Sequence, residues 1–236
     1  MCTITYIPTG SGYIVTQNRD ESPLREKAIF PVKAIVNKIP IIYPKDPEGS
    51  GSWFVTAQNG ITLCVMNAVY HPDKTSADFK HSRGLVPLHY LDYSSSEDFV
   101  NAYKFEGIQG FTLIVCSREK VDEIHWDENK VTHTTYKPGP LIFQSNPLYN
   151  SIQKAKRRAW FEQWLNTNDS SNIIEFHQSQ QQNNLAESIL MDRQIVRSVS
   201  ITQRIFSSIT NQIQYAEVES LKNFQKMSLQ QNPRFY

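Results

Sequence analysis

The chain opens with MCTITYIPTGSGYIVTQNRDE, residues 1–21, and this stretch decides the fold. Thr, Ile, Tyr and Val dominate its two arms, and the five residues between the arms, 8–12, are mostly Pro and Gly. That composition is typical of two strands joined by a short loop. The sequence therefore predicts an N-terminal β-hairpin.

The hairpin has a register that the sequence also predicts. A loop centred on Gly10 sets Ile7 opposite Tyr13 and Cys2 opposite Asn18, and such cross-strand neighbours lie about 5 Å apart. A slip of one residue would turn every side chain to the other face of the sheet. We expect the thiol of Cys2 to lie beside Asn18 and the two charged residues that follow it.

These neighbours matter because the thiolate, and not the thiol, is the nucleophilic form of cysteine. The guanidinium of Arg19 is expected to lower the pKa of the Cys2 thiol from its free value of about 8.5. If Met1 is removed, Cys2 gains an α-amine with a pKa of about 8 that can act as its general base, with Asp20 as a hydrogen-bond acceptor. The alternative is a buried, inert cysteine at the start of a strand.

The overall composition bounds the class of protein. The 236 residues suffice for one substantial core, and a net charge of +1 gives no electrostatic footprint for nucleic acid or an acidic membrane as partner. The densest basic cluster is predicted to be one solvated face of a helix; its members are Lys154, Lys156, Arg157 and Arg158.

Cysteine spacing and hydropathy bound the compartment. Cys2, Cys64 and Cys116 cannot all pair and form no CxxC or CxxH motif, so neither a disulfide framework nor a zinc site is expected. No basic segment followed by an apolar one opens the chain, and no run of 18 apolar residues occurs. We therefore expect a cytoplasmic protein with no membrane span and no bound metal.

Strands are predicted along the rest of the chain. The Asn59-Gly60 step between two apolar runs predicts a second hairpin over residues 53–67. Prolines confine residues 28–47 to edge strand and loop. Further strands are expected at 111–116, 120–126, 130–136, 197–203 and 213–218.

Helices are predicted between these strands. Serines followed by acids predict a helix over 94–105, and an apolar stripe predicts another over 148–165 with Asn146 as its cap and Pro147 in its first turn. A last helix is expected over 185–191. Strands at both ends with helices grouped between them predict an α+β domain in which helices cover antiparallel sheets.

The N-terminal motif carries a family resemblance. Met1-Cys2 followed by residues 18–21, Asn-Arg-Asp-Glu, resembles the NRDE-motif family, also called the transport and Golgi organization family. That family is similar in turn to N-terminal-nucleophile hydrolases such as penicillin V acylases and bile salt hydrolases. The resemblance implies a four-layer αββα sandwich over one domain, residues 1–220, followed by a tail at 221–236.

The resemblance also implies roles for particular residues. The implied catalytic group comprises Cys2 as nucleophile, Arg19 and Asp20 beside it, Asn67 and Asn146 toward the oxyanion, and Arg197 in the supporting network. Substrate binding is expected from Asn18, Glu21 and Trp53, the last in a Gly-Ser-Trp run similar to the family's Gly-Thr-Trp. Each of three residues also has a structural, non-catalytic alternative: a turn cap for Asn67, a helix cap for Asn146 and a surface ion pair for Arg197.

These expectations give three hypotheses of function. The first is a cofactor-free amidohydrolase that cleaves a carbon–nitrogen bond other than a peptide bond in a small-molecule amide, through an acyl-enzyme on Cys2. The second is a non-catalytic carrier of haem or another hydrophobic ligand, with Cys2, His71 or Met66 as candidate axial ligands. The third is an interaction scaffold built on the aromatic surface around Trp160 and Trp164. The sequence predicts no oligomeric state.

Overall fold

Two antiparallel sheets form the framework of the protein. The structure is a computed structural model that describes residues 2–181, 184–221 and 224–229. The first sheet contains six strands: β1 (Cys2–Thr9), β2 (Gly12–Glu21), β10 (Leu141–Gln144), β11 (Arg197–Ser207), β12 (Asn211–Glu217) and β13 (Gln225–Ser228). These lie in the order β10-β1-β2-β11-β12-β13. The hairpin predicted at the N-terminus is therefore central in its sheet.

The second sheet follows the order of the chain. Its seven strands are β3 (Ile29–Val36), β4 (Ile39–Lys45), β5 (Phe54–Ala57), β6 (Thr62–Asn67), β7 (Phe111–Cys116), β8 (Val121–Trp126) and β9 (Val131–Tyr136). The predicted Asn-Gly hairpin joins β5 to β6, with Gly60 at φ +87°. Strand β4 is wrongly predicted as an edge, because its prolines flank Ile41 and Ile42, the residues that pair with β5.

Helices cover the outer faces of both sheets and make the molecule a four-layer αββα sandwich. Helices α1 (Val86–Tyr90) and α2 (Ser96–Ala102) pack on the seven-stranded sheet, and α3 (Ser151–Thr167) and α4 (Ile173–His177) pack on the six-stranded one. None of the helices in the described part of the chain has the length and apolarity needed to cross a membrane.

The apolar residues bury themselves in two main clusters. The larger lies between the sheets and takes Ile4 and Tyr6 from β1, while the smaller takes Ile7 and Ile14 to the layer of α3 and α4. The strict alternation of a strand divides the residues of β1 and β2 between these two layers. Both faces of the hairpin are therefore buried against other parts of the protein.

The predicted register of the hairpin is wrong by one residue. The turn contains only Gly10 and Ser11, so Cys2 pairs with Arg19, and Ile7 pairs with Ile14. The prediction assumed a five-residue loop, whereas Thr9 and Gly12 already belong to the ladder. The shift places the thiol and the guanidinium on one face of the sheet.

Two helical predictions also need correction. Helix α3 begins at Ser151 with Asn150 as its cap, because Asn150 and Gln153 form a capping box that Asn146 cannot offer. Residues 185–191 form turns, in which the backbone N–H of Leu190 bonds to Ser179 instead of to its own segment.

One member of the predicted solvated cluster is a core residue. Arg157 of α3 is completely buried, donates to Gln144, Thr3 and two backbone carbonyls, and stacks on Tyr149 at 4.1 Å from the ring centroid. A guanidinium with this many donors can be buried when each finds an acceptor. Arg157 thus fixes α3 to the sheet.

Part of the predicted C-terminal tail belongs to the six-stranded sheet. Strand β13 pairs with β12 and forms the edge of the six-stranded sheet. Residues 222–223 and 230–236 of the predicted tail lie outside the described residues.

Candidate active site

A small cleft opens where β1 and β2 of one sheet meet β6 of the other. Its volume is about 100 Å³, and the thiol of Cys2 lines it. The other lining residues are Arg19, Glu21, Arg25, Asp46, Ser52, Trp53, Val65, Asn67, Ser82, Arg83 and Gly84. Five residues singled out from the sequence therefore line one cleft: Cys2, Arg19, Glu21, Trp53 and Asn67.

Arg19 is held in place by a ring and a carboxylate. Its guanidinium carbon lies 4.2 Å from the centroid of the Trp53 ring, and its Nη2 lies 3.6 Å from Oδ2 of Asp46. Asp46 in turn accepts two hydrogen bonds from Arg25, at 2.7 and 3.3 Å. The Trp53 indole thus supports the cation beside Cys2 as well as lining the cleft.

The environment of Cys2 favours the neutral thiol. Burial is the largest influence and raises the pKa of Cys2, and the carboxylate of Asp20 adds to the rise. The predicted lowering by Arg19 is therefore wrong for this structure. The Sγ atom lies 3.9 Å from the carbonyl oxygen of Val65, to which it can donate. A neutral thiol needs a base before it can attack.

Asp20 lies on the opposite face of β2 from Arg19. Its Oδ1 accepts a hydrogen bond of 2.7 Å from Ser198, and Tyr149 lies 3.5 Å from Oδ2. Burial raises the pKa of Asp20 to about 6. The three side chains predicted to lie together are therefore on two faces of the sheet. Cys2 and Arg19 line the cleft, and Asp20 lies on the other face.

Asn67 presents an unused amide to the cleft. It ends β6, and among the described residues its side chain makes no hydrogen bond. Its backbone carbonyl accepts a bond of 2.7 Å from Ser145, whose own N–H donates to the carbonyl of Cys2 at 3.1 Å. Ser145 therefore joins the backbone of Cys2 to the end of β6 that carries Asn67.

Two residues implied by the resemblance lie outside the cleft. Asn146 is exposed, accepts a hydrogen bond from Lys154, and lines a separate groove of about 640 Å³ beside α3. Arg197 points to Glu219, with Nη2 to Oε1 at 3.7 Å, and lines a neighbouring groove of about 190 Å³. Arg197 thus has the surface ion pair of its alternative, whereas Asn146 neither lines the cleft nor caps α3, whose cap is Asn150.

Asn18 joins the sheet to helix α4. Its Nδ2 donates to the carbonyls of His177 and Ile189 at 3.0 and 2.9 Å, and its Oδ1 lies 2.7 Å from Nδ1 of His177. Since Oδ1 only accepts, Nδ1 carries the proton, and Nε2 accepts from Thr5 at 2.7 Å. Burial lowers the pKa of His177 to about 3. No signal in the sequence pointed to His177.

Glu21 and Arg83 complete the charges of the cleft. Burial acts against ionisation of Glu21, but a 3.0 Å bond from the Ser22 N–H and the field of Arg19 keep its pKa below the usual range.

Arg83 begins a 3₁₀ turn, Arg83–Leu85, that lies against the Gly51-Ser52 segment. Arg83 could not be identified from the sequence, because no motif or spacing connects it to Cys2 or to β2, which lie more than 60 residues earlier in the chain.

The candidate haem ligands do not line one cavity. Cys2 lines the small cleft, Met66 lines the groove beside α3, and His71 is paired with Glu128 at 2.8 Å.

The fold is that of an N-terminal-nucleophile hydrolase, with a cysteine at residue 2 lining a cleft between the sheets. The structure is similar to the C2A mutant of conjugated bile acid hydrolase from Clostridium perfringens, with a TM-score of 0.61 and 11% identity over 97% of this chain and 92% of the other. It is also similar to an N-acylethanolamine-hydrolyzing acid amidase ortholog from Caenorhabditis elegans, with a TM-score of 0.57 and 14% identity over 87% and 92%.

A further solved structure extends this likeness, and the sequence identifies the family. Penicillin V acylase from Agrobacterium tumefaciens matches with a TM-score of 0.54 and 8% identity over 97% of this chain and 86% of the other. The comparison with curated proteins gives no match. The chain belongs to the family described as Transport and Golgi organisation 2, whose profile matches residues 1–228.

Proposed function

We propose that the protein hydrolyses a linear, non-peptide amide through an acyl-enzyme on Cys2. The observation that carries the proposal is the shared cleft of Cys2 and Asn67, with the nucleophile at the second residue of the chain. The fold likeness to amide hydrolases supports the same reaction class. Removal of Met1, which lies outside the described residues, is part of the proposal.

The proposed reaction begins with the α-amine of Cys2, which takes the thiol proton. The thiolate attacks the carbonyl carbon, and the Asn67 amide donates to the oxygen on which charge develops. Collapse breaks the carbon–nitrogen bond, and the ammonium returns the proton to the departing amine. Water then attacks the thioester, with the amine as base, and releases the acid and the free thiol.

Asp20 and Arg19 have supporting roles in this proposal. The carboxylate of Asp20, buried beneath the start of β1, provides a negative charge for the ammonium formed during attack. Arg19 is fixed over Trp53 and borders the space in which a substrate carbonyl would lie. Neither group replaces the general base.

The test is mass spectrometry of the purified protein incubated with a panel of N-acyl amides. We expect a chain without Met1, a transient acyl adduct on the N-terminal peptide, and release of amine. Cys2→Ala should remove the adduct and lower the rate by at least roughly a thousandfold, since no other group forms the thioester. Cys64→Ala changes a buried thiol in the core and is the matched control.

Two outcomes would contradict the proposal. Amine release that survives Cys2→Ala, or a mature active protein that retains Met1, would exclude this mechanism. If no amide is cleaved and haem titration shifts the absorption band instead, the carrier hypothesis is favoured.

A further inference from the structure

We propose that the cleft selects amides that carry a negatively charged group close to the scissile bond, and that Arg83 binds this group. The inference rests on the proposed function and adds the substrate class. It comes from the way in which the three guanidinium groups around Cys2 are partnered.

Arg83 is the guanidinium of the cleft that forms no ion pair with a carboxylate of the described residues. Its Nη1 donates to the backbone carbonyls of Val69 and Gly110, at 3.3 and 3.4 Å, and none of the ion pairs within the described residues includes it. Neutral acceptors satisfy its N–H groups in part but do not neutralise its charge. Burial lowers the pKa of Arg83 to about 10, so the cation is present at neutral pH.

The other two guanidinium groups of the cleft are already paired. Asp46 accepts from Arg25 at 2.7 Å and lies 3.6 Å from Arg19, and Arg25 also lies 3.3 Å from Glu48. Both carboxylates of these ion pairs, Asp46 and Glu48, are therefore engaged by Arg19 and Arg25. Among the described residues, Arg83 is the guanidinium of the cleft that takes part in none of these ion pairs.

Glu21 acts on Arg83 only at longer range. Burial lowers the pKa of Arg83 and the field of Glu21 opposes this, but the Glu21 carboxylate accepts from the Ser22 N–H and forms no ion pair with Arg83 among the described residues. A ligand carboxylate can approach the two-pronged guanidinium more closely and in its plane. An anion is therefore the occupant that fits the space between Arg83 and Cys2.

Arg83 is held rigidly enough to position such a group. The Ser52 N–H donates to the carbonyl of Gly84 at 2.8 Å, and Ser82 accepts from the Gly84 N–H at 3.2 Å. The turn that carries Arg83 is thereby joined to the segment that carries Trp53. Such fixed placement lets the cation bind without a large loss of side-chain entropy.

The test compares two alkylating probes of nearly equal size, iodoacetate and iodoacetamide, which differ in charge. Rates of Cys2 alkylation are followed by peptide mass spectrometry on the full chain, and the ratio of the two rates measures charge selection. In Arg83→Gln we expect the ratio of iodoacetate to iodoacetamide rates to fall roughly tenfold, the factor typical of one charged hydrogen-bonded contact. Arg83→Lys keeps the charge and should keep most of the ratio.

Arg118→Gln is the control, because it removes the same charge from an exposed residue in the turn between β7 and β8 that does not line the cleft. Its ratio should stay within about twofold of the unchanged protein. An Arg83→Gln ratio equal to that of the unchanged protein, or an equal fall in Arg118→Gln, would overturn the role of Arg83.

A second measurement needs no variant and separates this inference from the proposed function. N-acetylglycine should protect Cys2 of the unchanged protein from iodoacetamide at lower concentration than its neutral analogue N-acetylglycinamide. Equal protection overturns the charge selection even if amides are hydrolysed. Preferential protection by N-acetylglycine without any hydrolysis supports the anion site. It contradicts the proposed hydrolase function and leaves the charge selection standing.

Discussion

Two asparagines that the family resemblance treats alike differ in what their side chains face. Asn67 lines the cleft of Cys2, and its side-chain amide makes no hydrogen bond among the described residues, whereas Asn146 is exposed and accepts a hydrogen bond from Lys154. Only a donor that lies where the oxyanion forms can stabilise it. The structure therefore ranks Asn67 above Asn146 as the oxyanion donor of the proposed reaction.

This difference gives a prediction for two matched substitutions. Asn67→Ala should lower kcat for amide hydrolysis by roughly 10²–10³, the cost of one oxyanion donor. Asn146→Ala should leave kcat within about twofold. Steady-state kinetics with thermal melting as a folding check measure both, and an equal loss in the two variants would contradict the assignment.

At the scale of elements, the cleft depends on a close approach of two loops. A Cβ atom on Gly51 would lie 2.2 Å from the carbonyl of Gly84, in the turn that carries Arg83. The Gly-Ser-Trp run is thus explained by packing: glycine lets the backbones approach, and Ser52 then bonds across. The sequence resemblance marked the run, and the contact gives its physical reason.

The corresponding prediction compares two glycines. Gly51→Ala should lower the free energy of unfolding by about 1–3 kcal/mol, because backbone atoms must move apart. Gly10→Ala, in the exposed turn of the first hairpin with no atom near its added Cβ, should change it by less than about 0.5 kcal/mol. Urea denaturation measures both, and similar values would show that the loops separate without cost.

At the scale of the whole molecule, two buried ionisable groups lie on the helix-covered face of the six-stranded sheet. Burial raises the pKa of Asp20 from 3.8 to about 6 and lowers that of His177 from 6.5 to about 3. The Asp20 contribution to stability is complete below pH 3.8 and is lost as pH rises to 6. The His177 contribution is complete above pH 6.5 and is lost as pH falls, so the two oppose each other.

Substitution of Asp20 should expose the pH dependence of stability that His177 contributes. In Asp20→Asn, stability should fall by roughly 3 kcal/mol between pH 6.5 and 4, against less than about 1 kcal/mol in the unchanged protein, because the uptake of a proton by unfolded His177 is no longer offset by Asp20. Urea unfolding at pH 7, 6, 5 and 4 tests this, with the exposed Asp73→Asn as control. Parallel pH profiles for Asp20→Asn and the unchanged protein would refute the compensation.

The sequence by itself determined most of the strands, the grouping of helices between them, and part of the lining of the cleft, namely Cys2, Arg19, Glu21, Trp53 and Asn67. Local composition suffices for these features, because β-branched runs and turn residues act on their immediate neighbours. The motif at residues 18–21 and the cysteine at residue 2 likewise pointed to the cleft before any distance was known.

Only the tertiary structure decided which side chains meet. A two-residue turn set the hairpin register, which brought Arg19 to Cys2 and turned Asp20 to the other face. The burial of Arg157 depends on packing between segments that are far apart in the chain. So do the position of Arg83 in the cleft and that of His177 beside Asn18. Such contacts follow from how whole layers pack, and a pattern read along one segment carries no information about them.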